Sequence, residues 1–525
     1  MPPNVEEGRR GEHAHHQHQN KRSADDEGTL LGRPGGLNDD AQSSLLLTPH
    51  PDDAMGSQLS PTLSSLQSVF MLCNSAIGAG VLSLPFAFQH AGLVGGILLC
   101  IIMAGAESFT MYVLSKFAQR HNAETYGSLV RATLGRKLTA LLVAVMILHL
   151  FGSCLVYMVS VWPLPGDTLT SLGEQSFGPG LWFLDRRVVI SFVGLGVLYP
   201  LCCLRRLGHL SLVSVFAVLG FMYTSGIVLY QGGKVATERH DFMEGVELFH
   251  FSIKALYAIP IIVFGFNCHA NVVAVFTELS EAPDLLFAGL PADPRTYRTL
   301  PAYVPRPATT KLINMIGVIL AAMLTILAGY VCVGIAGYIG YPGVVGSNVL
   351  NSLPQDKWYV QTAQLVVALV VMGHYPLNHH PARDGMHDVL DLLGFSHHPR
   401  FLSHIFTAVF VGGTVGLALV VRSLGAALHV LGGTAASFMI FCLPGLMLVN
   451  AGIVKQSVGI LDCMEEDPFW THATMDEPSV RQAALKGIKK TGLVYSPGKS
   501  WAAGIMLLVV GVGIFGITLL TAMED

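Results

Sequence analysis

The chain is predicted to be an all-α polytopic membrane protein with about eleven transmembrane helices. Three observations predict it. Apolar residues make up 51% of its 525 residues and charged residues only 13%, the balance of a chain that lies largely in lipid. The apolar residues gather into eleven stretches, each close to the ~20 residues that a bilayer demands. Lysine and arginine fall on alternate sides of those stretches, as the positive-inside rule requires.

Residues 1–62 read as a disordered cytosolic tail. His13, His15, His16 and His18 are followed by Pro, Gly, Ser and Asp without periodicity, which suits a flexible polar segment better than a metal site. Within it, Asp26 to Leu31 (DEGTLL) fits the acidic dileucine pattern that sorting adaptors read. No secretory signal appears in the tail, so the first span is expected to act as its own membrane signal.

Residues 63–525 form the membrane domain. Its spans are expected at about 66–89, 93–119, 137–161, 187–204, 209–230, 254–279, 311–339, 358–381, 401–421, 425–453 and 499–521. With the N-terminus inside, outside segments hold only Arg186, Arg187, Lys234, Arg239, Lys254, Lys357 and Arg422 of the 31 basic residues. The tail is therefore expected in the cytosol and Asp525 outside or in a lumen. Three connecting stretches stand out. Ala123 to Gly135 reads as a short interfacial helix, Met464 to Lys490 as a cytosolic surface helix with Trp470 and a basic patch, and Glu281 to Thr310 as a Pro-rich mobile loop. Eight of the nine cysteines lie in apolar stretches and Cys463 in a loop, so no disulfide is expected. No Asn-x-Ser/Thr acceptor occurs, so no N-glycan is expected either.

Two spans are interrupted. In the first, Asn74 to Pro85 (NSAIGAGVLSLP) carries Gly78, Ala79 and Gly80 in tandem, although each helix-interior glycine costs about 1 kcal/mol against alanine. Opening a helix in lipid is tolerated only where the freed backbone lines a cavity or is buried in protein. One half-helix would end near Ile77 and another begin near Gly80, with the positive end of the second aimed at a carboxylate. Close helix packing through small residues is the alternative. The sixth span, Tyr257 to Leu279, supplies the second interruption, with Pro260 and the central Phe264-Gly265-Phe266-Asn267-Cys268-His269. Paired interruptions at mid-membrane point to a transporter with a repeated core and a central site.

The same residues resemble a known family. Asn74 to Gly92 (NSAIGAGVLSLPFAFQHAG), Gly152 to Tyr157 (GSCLVY), Phe264 to His269 (FGFNCH) and Tyr375 to Arg383 (YPLNHHPAR) are similar, in that order, to spans one, three, six and eight of the amino acid/auxin permease family. The sodium-coupled neutral amino acid transporter branch is the nearest in pattern. The resemblance runs from about Leu66 to the C-terminus. It implies a leucine-transporter-type five-plus-five inverted repeat plus one extra C-terminal helix, and it makes 63–525 an amino acid transporter domain. Members often carry glycan sites and disulfides in external loops, and there this chain departs from the pattern.

Ionisable groups inside the spans are Glu107, His149, His269, His374 and His429; each is costly to bury and so a functional candidate, with a hydrogen-bonded packing role as the alternative. Asp384 and Asp388 near His379, His380 and His387 imitate a metal cluster, but Arg383 lies among them and a solvated helix end explains them better. No enzyme constellation, metal site, cofactor site or nucleic-acid surface is expected, and no phosphate loop supports direct ATP drive.

The function expected is secondary active transport of small neutral amino acids by alternating access, driven by a proton or sodium gradient. Asn74, Ser75, Ile77, Gly78, Ala79 and Gly80 would hold the α-carboxylate; Phe264, Gly265, Phe266 and Asn267 would hold the amine and side chain. By the resemblance, His374 stands where sodium-coupled members offer threonine. An imidazole is a poor ligand for a hard cation but titrates in the physiological range, so Asn74 and His374 are the ion-coupling candidates. An amino acid sensor that signals through the tail without transporting is the rival reading. A vacuolar or lysosomal membrane is expected ahead of the plasma membrane, because the dileucine pattern is cytosolic and the external loops lack glycan sites and cysteines.

Overall fold

In lipid every backbone N–H and C=O must be satisfied within the protein, so a spanning chain is helical or a closed barrel. This chain is helical. The computed structural model describes residues 63–161, 185–203, 210–241, 243–280, 309–392, 394, 400–421, 423–457 and 497–522. The tail with its Asp26–Leu31 pattern, the loop 281–308 and the loop 458–496 lie outside the described residues.

The helices, in chain order, are α1 (Ser65–Ala76), α2 (Leu84–Ala91), α3 (Leu93–His121), α4 (Tyr126–Leu134), α5 (Arg136–Val161), α6 (Arg186–Ser191), α7 (Tyr199–Cys203) and α8 (Leu210–Glu238). The second part holds α9 (Ala258–Phe266), α10 (His269–Glu278), α11 (Thr309–Gly340), α12 (Trp358–Leu392), α13 (Arg400–Val420), α14 (Leu424–Leu431), α15 (Leu443–Ser457) and α16 (Pro497–Ala522). Among the described residues nine helical stretches are long and apolar enough to cross a membrane, and α1 with α2, bent by 54°, makes a tenth. The remaining expected span coincides with α8, 29 residues long.

Local chemistry starts the helices where they start. Ser64 and Gln67 form a capping box ahead of α1, and Thr125 and Ser128 form one ahead of α4. Each box satisfies N–H groups that a helix end would otherwise leave bare. The expected interfacial helix is α4, with Tyr126, Leu129 and Val130 buried. It is more than a surface feature, because the Tyr126 hydroxyl donates to the Met439 carbonyl at 2.8 Å and ties it to the tenth span.

Packing brings α12 against α5, α11 against both α3 and α8, and α15 against α16. The start of the first interrupted span is fastened to the end of the other. Leu63 pairs with Leu279 in an isolated parallel bridge, its N–H donating to the Glu278 carbonyl at 2.8 Å and its carbonyl accepting from Ser280 at 2.9 Å.

The expected solvated helix end is met by Asp384 and Asp388, which are exposed, but not by His379. α12 runs on through Pro376 and Pro381 to Leu392, and His379 is fully buried with its ring 5.1 Å from Phe410 and 6.0 Å from Phe406. The aromatic face of α13 covers it. Among the described residues no group of three or more His, Cys, Asp and Glu is placed to hold a metal.

Candidate functional site

The first interruption is a true break. α1 stops at Ala76, and Ile77 turns extended while its N–H still reaches the Cys73 carbonyl. Gly78 is extended, a tight 3₁₀ turn follows over Ala79–Ser83, and α2 begins at Leu84 with Pro85 in its first turn. Proline suits that place because the N–H it lacks would have had no helical partner. No side chain caps Gly78.

The second interruption begins two residues past the glycine of its motif. α9 passes through Pro260 and Gly265 and ends at Phe266; Asn267 and Cys268 leave helical geometry; α10 starts at His269. Asn267 is the pivot. Its side-chain oxygen accepts from the His269 N–H at 3.2 Å, and its amide nitrogen lies 3.2 Å from His149 Nε2 on α5.

The two breaks touch. A Cβ on Gly80 would stand 3.3 Å from the Gly265 Cα and 3.4 Å from the Phe264 ring, so backbone meets backbone here and a side chain would hold the halves apart. Tyr330 of α11 fastens both. Its fully buried hydroxyl lies 2.9 Å from the Ala76 carbonyl and 2.9 Å from the Gly265 carbonyl. Each of these carbonyls would, in an unbroken helix, accept from a residue four places on, past the break. Orphaned carbonyls in a membrane core are costly, and one phenol serves the pair.

The expected site residues divide into three groups. Gly80, Gly265 and Phe266 are buried at the junction, and Ile77 turns into the core with 8% exposure. Asn74, Ser75, Gly78, Phe264 and Asn267 are half-buried around it, while the Ala79 side chain is outside the described residues. Ser75 is already engaged: its hydroxyl accepts from Asn271 Nδ2 of α10 at 2.8 Å, joining α1 to α10. His374 is buried on α12 with its ring 6.1 Å from that of Tyr157. Tyr157 in turn receives a 3.4 Å hydrogen bond from Asn378 and would sit 3.5 Å from a Cβ on Gly78. His374 therefore reaches the first break through Tyr157.

Other ionisable candidates have partners. Glu107 and His269 approach within 3.1 Å and are both fully buried, and His269 Nε2 lies 2.7 Å from Thr110 Oγ1. His149 bears on the site through Asn267, with its ring 5.5 Å from Phe264. His429 stacks on Tyr257 at 4.0 Å and bonds Thr521 at 2.8 Å. Sequence reasoning did not single out Tyr330, Asn271 or Thr110. Tyr330 lies in an unbroken apolar run, where nothing marks it off from a core tyrosine.

A family model described as transmembrane amino acid transporter protein matches residues 61–287 and 302–456. The chain is similar to sodium-coupled neutral amino acid transporter 7 of Bos taurus, with 29% identity over 406 residues that cover 74% of this chain and 80% of the relative. It is similar also to vacuolar amino acid transporter 5 of Schizosaccharomyces pombe, with 28% identity over 384 residues that cover 72% and 82%. A solved structure of Mhp1, a nucleobase-cation-symport-1 family transporter in a closed conformation, superposes with a TM-score of 0.49 and 13% identity over 88% of this chain and 94% of that one.

Proposed function

The chain belongs to the transmembrane amino acid transporter family, the amino acid/auxin permeases, and from that premise we propose that it is a secondary active transporter of small neutral amino acids. The observation that carries the reading is the contact of two broken spans at Gly80 and Gly265. A broken span exposes helix ends where an unbroken one exposes nothing polar. The start of the second half of span one offers N–H groups and a positive dipole end to an α-carboxylate, with Asn74, Ser75 and the Gly78–Gly80 backbone around it. Phe264 to Asn267 face the amine and side chain. The Phe264 and Tyr157 rings crowd this place, which favours small side chains. Rocking of one helix group against the other about the breaks exposes the site to each side in turn.

Transport in this reading is coupled to a proton or a sodium gradient, with His374 and Asn74 at the ion side of the first break. The N-terminus is cytosolic by the distribution of lysine and arginine, and the protein works in a vacuolar or lysosomal membrane. The test is uptake by the full chain in proteoliposomes across a panel of amino acids, with sodium and pH gradients imposed separately. Concentrative uptake of small neutral amino acids is expected. Saturable binding without flux under either gradient would replace the transporter with a binding protein.

A further inference from the structure

Among the described ion pairs, the one between Glu107 and His269 alone has both side chains fully buried. It joins α3 to the first residue of α10, next to the break of the sixth span. The site described above makes no use of it. We propose that Glu107, His269 and Thr110 form a proton-binding site at the hinge of the sixth span, loaded with one proton when the protein is closed and unloaded only when water enters. Its part in transport rests on the transporter reading; its chemistry does not.

The argument starts at Thr110. Its hydroxyl has a single proton, and the Ala106 and Glu107 carbonyls stand 3.1 Å away to take it, as helical threonines commonly arrange. That leaves a lone pair for His269 Nε2 at 2.7 Å, which must then carry hydrogen. His269 Nδ1 faces Glu107 Oε2 at 3.1 Å, somewhat out of line for a straight hydrogen bond. One proton between these two atoms makes the group neutral overall, and in a dry core it sits as carboxylic acid with neutral imidazole, because complete burial disfavours both charged forms. Remove it and a carboxylate faces the Nδ1 lone pair.

An uncompensated carboxylate in a dry membrane core is expensive. The other titratable groups that act on Glu107 are Cys268 and Tyr330, a thiol and a phenol that carry no positive charge to offset it. Glu107 Oε1 has no hydrogen-bond partner among the described residues, so no donor is prepared for an anion there. The closed protein therefore tolerates the loaded pair alone. Unloading repels Oε2 from Nδ1 and releases α3 from the start of α10. His269 is also the residue whose N–H is capped by Asn267, so its displacement is felt at the break itself. The step balances simply: the O–H bond of the acid is lost and the proton passes to water, with no other bond changed.

Infrared difference spectra of the purified full chain in lipid test the site directly. Between mildly alkaline and mildly acidic buffer, exposed carboxylates stay ionised. A protonated-carboxyl band is expected that changes with pH in the wild type, is missing in Glu107→Gln, and moves in frequency in His269→Gln. Identical spectra from wild type and Glu107→Gln overturn the proposal. Should Glu107→Gln fail to fold, Thr110→Val decides. Without the threonine acceptor, the imidazole is free to carry hydrogen on Nδ1 and steady the carboxylate, so the band appears at lower pH; an unmoved midpoint overturns the proposal. In proteoliposomes, accumulation driven by a pH gradient is expected to fall roughly tenfold or more in Glu107→Gln, since a driving ion unbound is a coupling energy lost. The two readings fail separately. A titrating Glu107 band in a wild type that moves no amino acid keeps the proton site and removes the transporter. Accumulation with no Glu107 band does the reverse.

Discussion

Tyr330 satisfies two broken helices with one hydroxyl, and its removal is the sharpest test at the scale of a residue. Tyr330→Phe keeps the ring and leaves the Ala76 and Gly265 carbonyls buried without their donor. A loss of about 1–3 kcal/mol is expected, seen as a lower Tm of the purified protein together with reduced uptake. Gly80 and Gly78 are expected to differ although they sit in one motif. At Gly80 a side chain meets the Gly265 backbone, whereas a Cβ at Gly78 makes ordinary contact with Tyr157. Gly80→Leu should abolish substrate binding while the protein still inserts, and Gly78→Ala should retain it; wild-type uptake by Gly80→Leu would move the site elsewhere. His374 is the third case. Its Nε2 is buried without a hydrogen-bond partner among the described residues, and Tyr157 brings it in reach of the first break. Uptake by the wild type is expected to ignore replacement of sodium by choline and to respond to a pH step, and His374→Ala to flatten that response. Strict sodium dependence with an unaltered pH profile in the variant would remove His374 from coupling.

At the scale of elements, the breaks are held by neighbours that are themselves irregular. The tenth span contains π-helical turns at Gly432–Ala436 and Phe438–Cys442, and Gly432 lies directly on the Pro260 carbonyl of α9. That carbonyl is backbone and has no rotamer to yield. Gly432→Ala is expected to cost about 1–3 kcal/mol as an overpacked contact, read as a fall in Tm, and to slow transport by shifting α9. An unchanged Tm would show that the tenth span gives way freely. Both breaks were legible in the sequence, because Gly78, Gly80 and Gly265 with Asn267 have no place in an ordinary lipid-facing helix. What holds the breaks was not. Tyr330 and Gly432 act through residues 65 to 254 positions away or more than one hundred and fifty, and a contact across that distance leaves no local pattern.

At the scale of the molecule, the spans form one set of packed helices whose two interrupted members are tied at Leu63 and Leu279. The address of that set in the cell is a separate question, and in the proposed reading it rests with the dileucine pattern of the tail. If Asp26–Leu31 is read by sorting adaptors, then Leu30→Ala with Leu31→Ala is expected to move a tagged protein from endomembranes to the cell surface without loss of folding. An unchanged distribution would remove the sorting argument and leave the plasma membrane open.

By itself the sequence determined the class: a helical membrane protein, where its spans begin to within a few residues, its two interruptions and, through four motifs, its family. These properties follow from the bilayer, which reads hydropathy and backbone continuity segment by segment. The tertiary structure decided the rest. It closed Gly80 on Gly265, put Tyr330 between the freed carbonyls, extended α12 past two prolines to bury His379, and brought Glu107 to His269 from another helix. Each of those is a match between side chains on different spans. Side-chain identity along one helix states what must be buried, and only the packed arrangement states against what.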